Sequence, residues 1–232
     1  NGEIGNNFSF STTYFESQGR FSEYVNSYIT NPALNFKPKN SEGLVPGRGK
    51  TKGHKTDSHD YPVAEAYLAY TPNKHMQFQF GNGKNFIGNG YRSLILSDQA
   101  APNTFLKLNT KVWKINYMNL YSVHTDYRRF KGTEVSARKF SALHHLSINL
   151  GKNFTLGLFE NVIFDRQDSL ETGRFEVDYL NPLIFYRAVE HGLVSSDNVI
   201  LGTDWKWNFL NHFSFYGQFI LDEYTFLKRP VF

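Results

Sequence analysis

The sequence predicts an all-β fold: an antiparallel transmembrane β-barrel, or a large part of one, with one short helix in a long connection. Three observations carry this. Aromatic residues make up 17% of the chain while mean hydropathy stays at −0.47, a pairing that suits strands with one apolar face and one wet face. Apolar side chains recur at every second position in segment after segment, the period of a strand and not of a helix. Short turns alternate with long connections, as in bacterial outer-membrane barrels.

The alternation is clearest near the end of the chain. Val199, Leu201, Thr203, Trp205, Trp207 and Phe209 fall on one side, and Ile200, Gly202, Asp204, Lys206 and Asn208 on the other. Phe213, Phe215, Phe219 and Leu221 repeat the apolar side, opposite Ser214, Tyr216, Gln218 and Asp222. Only Leu210-Asn211-His212 separates the two runs, enough for a hairpin turn. The same reading gives about ten strands, near 7–16, 20–29, 62–71, 75–83, 104–110, 112–122, 136–150, 153–164, 197–209 and 212–223. Short turns are expected near Gly19, Asn73, Lys111, Lys152 and Asn211, and long connections over 30–61, 84–103, 123–135 and 165–196. Within the last connection, Pro182 can open a helix over Leu183–Glu190 that Gly192 ends. Clustered aromatics such as Trp205, Trp207 and Phe209 suit the girdle of a barrel, with Trp205, Trp207, Phe213, Phe215 and Phe219 outward. Asp204, Lys206, Gln218 and Asp222 then point inward. A soluble β-sandwich also alternates and is the competing architecture.

Composition narrows the chemistry. There is no Cys, so disulfides, zinc–thiolate sites and thiol catalysis are excluded. No run of about 18 apolar residues exists, so no membrane-spanning helix is expected; barrel strands are shorter and alternate. The net charge of +4 is too mild to imply nucleic acid as a partner.

Few motifs point to a reaction. Residues 47–56, GRGKTKGHKT, resemble a phosphate loop, but the first glycine of that pattern would fall at Leu44. They read better as a flexible basic loop, in which Lys37, Lys39, Arg48, Lys50, Lys52 and Lys55 could meet anionic polysaccharide or lipid phosphate. His144 and His145 are adjacent on a strand, so they face opposite ways and cannot share a metal. No metal site and no cofactor are expected. The carboxylate pairs Glu176/Asp178 and Asp222/Glu223 read as polar barrel lining, and no Gly-x-Ser-x-Gly elbow is present. Gly81, Gly83, Gly88 and Gly90 are expected to permit positive φ or close backbone approach where strand 75–83 passes into its loop. Arg187 is expected to be at least partly buried and paired with Asp204, Asp222 or Glu223.

Two segments carry a resemblance. One is GNGKNFIGNGYRSLILSDQAAPNTFLKL, residues 81–108. The other is FEVDYLNPLIFYRAVEHGLVSSDNVILGTDWKWNF, residues 175–209, continuing as FSFYGQFILDEY to Tyr224. Together they resemble the capsule-assembly Wzi family, especially its Bacteroidetes gliding-motility RemB-like branch. The resemblance implies a non-catalytic outer-membrane barrel at the bacterial cell surface. It would attach capsule or exopolysaccharide, or serve gliding and adhesion. Its partners would be outer-membrane lipid, surface polysaccharide, and other outer-membrane or motility proteins. Loop side chains, among them Tyr91 and Arg92, would bind sugar by stacking and hydrogen bonds. Family barrels have more strands and an N-terminal helical part. Residues 1–232 are therefore expected to be a single barrel unit belonging to a longer protein. The alternatives are a porin-like channel and, in another class, a soluble β-rich enzyme acting on polysaccharide.

Overall fold

A computed structural model describes residues 1–30, 43–55, 58–131, 135–164, 177–185, 198–210 and 212–222. The described residues form an all-β fold with one short α-helix. In chain order the strands are β1 (Gly2–Ile4), β2 (Phe8–Gly19), β3 (Gly43–Val45), β4 (Gly49–His54), β5 (Ser58–Asn73) and β6 (Met76–Gly83). They continue as β7 (Asn103–Val112), β8 (Ile115–Lys131), β9 (Val135–Asn149), β10 (Phe154–Phe164), β11 (Asn198–Phe209) and β12 (Phe213–Asp222). All pairings are antiparallel, in the order β1-β2-β5-β6-β7-β8-β9-β10-β11-β12. β4 pairs with β5 beyond the reach of β6, and β3 pairs with β4. The sheet is open, ending at β1 and β12.

The register is staggered in one sense. A row of paired residues starts at Ile4 opposite Phe8, beside the β1–β2 turn. It passes through Tyr70, Leu108, His144 and Glu160. It ends at Leu201 opposite Leu221, at the far end of β12. A row that climbs from one end of the strands to the other is the stagger of a tilted barrel wall.

Because successive side chains alternate, this register sorts the sheet into two faces. One is apolar: Phe8, Phe10, Leu68 and Phe80 are exposed on it at one end, and Trp207, Phe215, Phe219 and Leu221 at the other. Trp207 is 49% and Phe215 59% exposed, and Trp205 is half-buried, so neither tryptophan enters a closed core. The second face is polar and carries Ser9, Ser11, Gln79, Asn109, Lys107, Asp204 and Gln218.

Three local expectations are corrected. Residues 20–29 do not form a strand; Glu23–Thr30 is helix α1. Val25, Tyr28 and Ile29 repeat at helical spacing, Ser22 accepts the amides of Val25 and Asn26, and Glu23 suits the positive first turn. Ile29 is fully buried, against Gly43 of β3. The connection expected at 123–135 is mostly strand, since β8 runs to Lys131 and β9 starts at Val135. The basic stretch at 47–56 is largely the β3–β4 hairpin and not a free loop. No helix follows it, so the phosphate-loop geometry is missing.

The helix expected over Leu183–Glu190 does not begin at Leu183. A 3-10 turn covers Val177–Leu180, and Phe185 has φ of 64°. The Leu183 amide donates to Asn181 Oδ1 at 3.2 Å, and the Phe185 amide to Glu160 Oε2 at 2.5 Å. The left-handed φ of Phe185 stops a helical run at that residue. Residues 186–190 lie outside the described residues.

Candidate functional site

The polar face is where the chain brings distant residues together. β6 ends at Gly83 and β7 starts at Asn103, and the intervening loop folds back over this face. Its apolar part is Ile87, buried with Phe105, Leu120 and Leu143, with Ile95, Leu96 and Met118 packed around them. Ile87 and Leu96 pair through a backbone bond of 3.0 Å. Ser93 closes the loop on itself: its hydroxyl donates to the Ile87 carbonyl and accepts the Ile95 amide.

Polar contacts pin the same loop to the sheet. Asp204 Oδ2 accepts the Asn89 backbone amide at 3.2 Å and its side-chain amide at 2.5 Å. Gln218, paired opposite Asp204, accepts the Leu94 amide at 2.6 Å and donates to the Asn89 carbonyl at 3.0 Å. Lys107 donates to Asn85 Oδ1 at 3.0 Å. The other Asp204 oxygen accepts from His145 Nε2 at 2.7 Å, from two strands away. This fully buried carboxylate is therefore satisfied on both sides, as a charge out of water must be.

The loop glycines divide. Gly88 and Gly90 have φ of 107° and 130°, and a Cβ on Gly81 would lie 2.3 Å from the Ala66 carbonyl oxygen. Gly83 has neither constraint, its nearest neighbour being Phe105 at 3.8 Å. So Gly88 and Gly90 serve the loop's path through positive φ and Gly81 serves the close approach of β6 to β5, both within the sequence expectation, while Gly83 does neither.

His144 and His145 do face opposite ways. His144 lies on the other side of the sheet, where Nδ1 meets Asn119 Oδ1 at 2.6 Å. Asn119, His144 and Glu160 form a buried polar row on the more apolar of the two faces. Residues 177–185 cover it: Tyr179 stacks on Phe164 at 4.0 Å, and Tyr121 donates to the Leu180 carbonyl at 3.1 Å. Tyr117 donates to the Pro182 carbonyl. Sequence reading missed this row because His144 and Glu160 are ordinary members of their strands until the strap is placed.

The expected polysaccharide contacts fall on two elements. Arg48, Lys50 and Lys52 are exposed on the β3–β4 hairpin, with Arg48 5.6 Å from the centre of the Phe15 ring, and Lys55 is exposed just beyond it. Tyr91 and Arg92 are exposed on the 84–102 loop, the guanidinium 5.9 Å from the tyrosine ring. The two elements touch, because a Cβ on Gly47 would lie 2.7 Å from the Gln99 carbonyl oxygen. Lys37 and Lys39 lie outside the described residues. So do Arg187 and Glu223, one of the three carboxylates expected to pair with Arg187; of the other two, Asp204 is occupied by His145 and Asn89, and Asp222 is exposed at the end of β12.

Comparison with protein-family models, curated proteins and solved structures found no match for this chain. The likeness to the Wzi family rests on the residues of the two segments alone.

Proposed function

We propose that this chain is part of an outer-membrane β-barrel of the Wzi type, non-catalytic, which holds polysaccharide at the bacterial cell surface or contributes to gliding and adhesion. The observation that carries the reading is the contrast between the two faces. Phe8, Phe10, Phe80, Trp207, Phe215 and Phe219 remain exposed on one side, while the opposite side is polar and covered by the chain's own loop. An apolar face of that extent needs lipid or protein against it. The stagger of the strands supports a barrel wall. The exposed cations of β4 and the Tyr91–Arg92 pair, on elements that touch, supply charge and a ring suited to sugar. A conducting pore is the less favoured reading, since residues 84–102 lie across the polar face.

The test is biochemical. The folded protein should require detergent, partition with outer-membrane fractions, and restore retained surface polysaccharide to cells lacking it. A protein that is monodisperse and folded in buffer without detergent would favour the soluble β-rich enzyme and end the membrane reading.

A further inference from the structure

The short connections β1–β2, β5–β6, β7–β8, β9–β10 and β11–β12 all fall at one end of the antiparallel sheet. Backbone bonds tie each of them to the next hairpin. The Thr71 amide donates to the Asn7 carbonyl at 2.8 Å, Lys111 to His75 at 2.7 Å, Asn149 to Lys114 at 3.0 Å and Asn208 to Asn153 at 2.8 Å. The turns therefore form one continuous rim.

That rim is basic. Lys74, Lys111, Lys114 and Lys152 are exposed along it, with His75 and His212. None of the four lysines has an ion-pair partner among the described residues. Residues 4–8, 70–77, 109–116, 148–155 and 207–214 contain no Asp or Glu. The nearest acid, Glu3, flanks the β1–β2 turn, which holds no cation. The long connections mix both signs: residues 165–196 alone hold six carboxylates and three arginines.

Apolar side chains stand beside these cations. Trp113 is 76% and Leu210 75% exposed at the turns, and Met76, Leu150 and Phe213 are exposed near them. Lys114 Nζ lies 5.0 Å from the centre of the Trp113 ring. By strand alternation, Met76 lies on the same face as Phe80, and Phe213 on the same face as Phe219. The apolar face thus runs without a break up to the lysines.

We propose that this rim binds anionic phospholipid headgroups, with the acyl chains lying against the apolar face beyond it. The inference rests on the membrane reading above and names the lipid class. Short turns of such barrels face the periplasm, so the leaflet is the inner one of the outer membrane. Rings settle at the headgroup boundary while lysine stems reach past them to the phosphates. A zwitterionic headgroup carries its own cation, so an acid-free row of lysines favours lipids of net negative charge.

The experiment uses the full chain folded into phosphatidylcholine vesicles that carry an equal share of brominated phosphatidylglycerol or brominated phosphatidylcholine. Quenching of tryptophan fluorescence reads the relative affinity, since Trp113, Trp205 and Trp207 all lie in or near the rim. Phosphatidylglycerol should be preferred by about fivefold or more, the size of one lysine at an anionic surface. Raised salt should reduce the preference. Lys74→Gln, Lys111→Gln, Lys114→Gln and Lys152→Gln combined should abolish it, and arginine at the same four positions should keep it. These side chains are exposed, so the glutamine variant should fold; the double variant Lys74→Gln/Lys152→Gln should show a smaller preference than the parent. Equal quenching by the two lipids, or an undiminished preference in the glutamine variants, would overturn the assignment. Adsorption of the parent to isolated peptidoglycan with no lipid preference would give the cations to that polymer instead. Folding into phosphatidylcholine alone is scored separately: success there without lipid preference ends only this inference, and failure in every vesicle ends the barrel reading with it.

Discussion

The His145 imidazole and the Asp204 carboxylate meet at 2.7 Å across Gly157, the residue that lies between them on β10. A Cβ on Gly157 would sit 2.1 Å from Asp204 Oδ1 and 2.7 Å from His145 Nε2. The strand between the partners must therefore lack a side chain at that point. Gly157→Ala is expected to destabilise the protein by about 1–3 kcal/mol, as overpacking does. His145→Ala should cost about 3 kcal/mol or more, because it leaves a buried carboxylate short of a partner. Thermal unfolding in detergent measures both. A Gly157→Ala protein that melts with the parent would show that the contact is dispensable.

Asp204 and Gln218 also hold the 84–102 loop, through Asn89 and Leu94. Gln218→Leu removes the acceptor for Leu94 and the donor to Asn89, and should weaken docking by about 1–3 kcal/mol. Trypsin cleavage after Arg92 should become faster while strand content, followed by circular dichroism, stays the same. Unaltered cleavage kinetics would mean that the apolar cluster around Ile87 holds the loop without these bonds.

The four glycines of residues 81–90 should respond differently to alanine. Gly90→Ala places a side chain at φ 130°, and Gly81→Ala drives one into the Ala66 carbonyl; each is expected to cost about 1–3 kcal/mol. Gly83→Ala meets nothing closer than 3.8 Å and should melt within about 0.5 kcal/mol of the parent. Equal sensitivity at all four positions would contradict the geometry.

The apolar face supplies the sharpest check of the membrane proposal. Phe219 is 52% exposed on β12. If it faces lipid near the bilayer centre, Phe219→Arg should disfavour folding into phospholipid vesicles by about 2–4 kcal/mol. On the opposite face, Lys206→Gln should leave folding nearly unchanged. A Phe219→Arg protein that inserts as well as the parent would falsify the assignment of this face to lipid.

The β11–β12 hairpin and the sorting of its faces were legible in the sequence. Strand alternation is local: once Trp205 and Trp207 point one way, Asp204 and Lys206 must point the other. The opposite directions of His144 and His145 follow from the same rule. Other features needed the tertiary structure. The spacing of Tyr24, Val25, Asn26, Tyr28 and Ile29 fits both a two-residue and a helical period, and only burial of Ile29 against β3 selects the helix. Likewise, nothing near Asp204 in the chain names its partners. Asn89 is 115 residues away and His145 is 59, and the sheet order and register bring them together at a glycine. Side-chain direction is fixed by the backbone two residues at a time, whereas the meeting of His145, Gly157, Asp204 and Asn89 depends on how several strands and a returning loop are placed at once. That placement is set by the whole sheet and by no single segment of it.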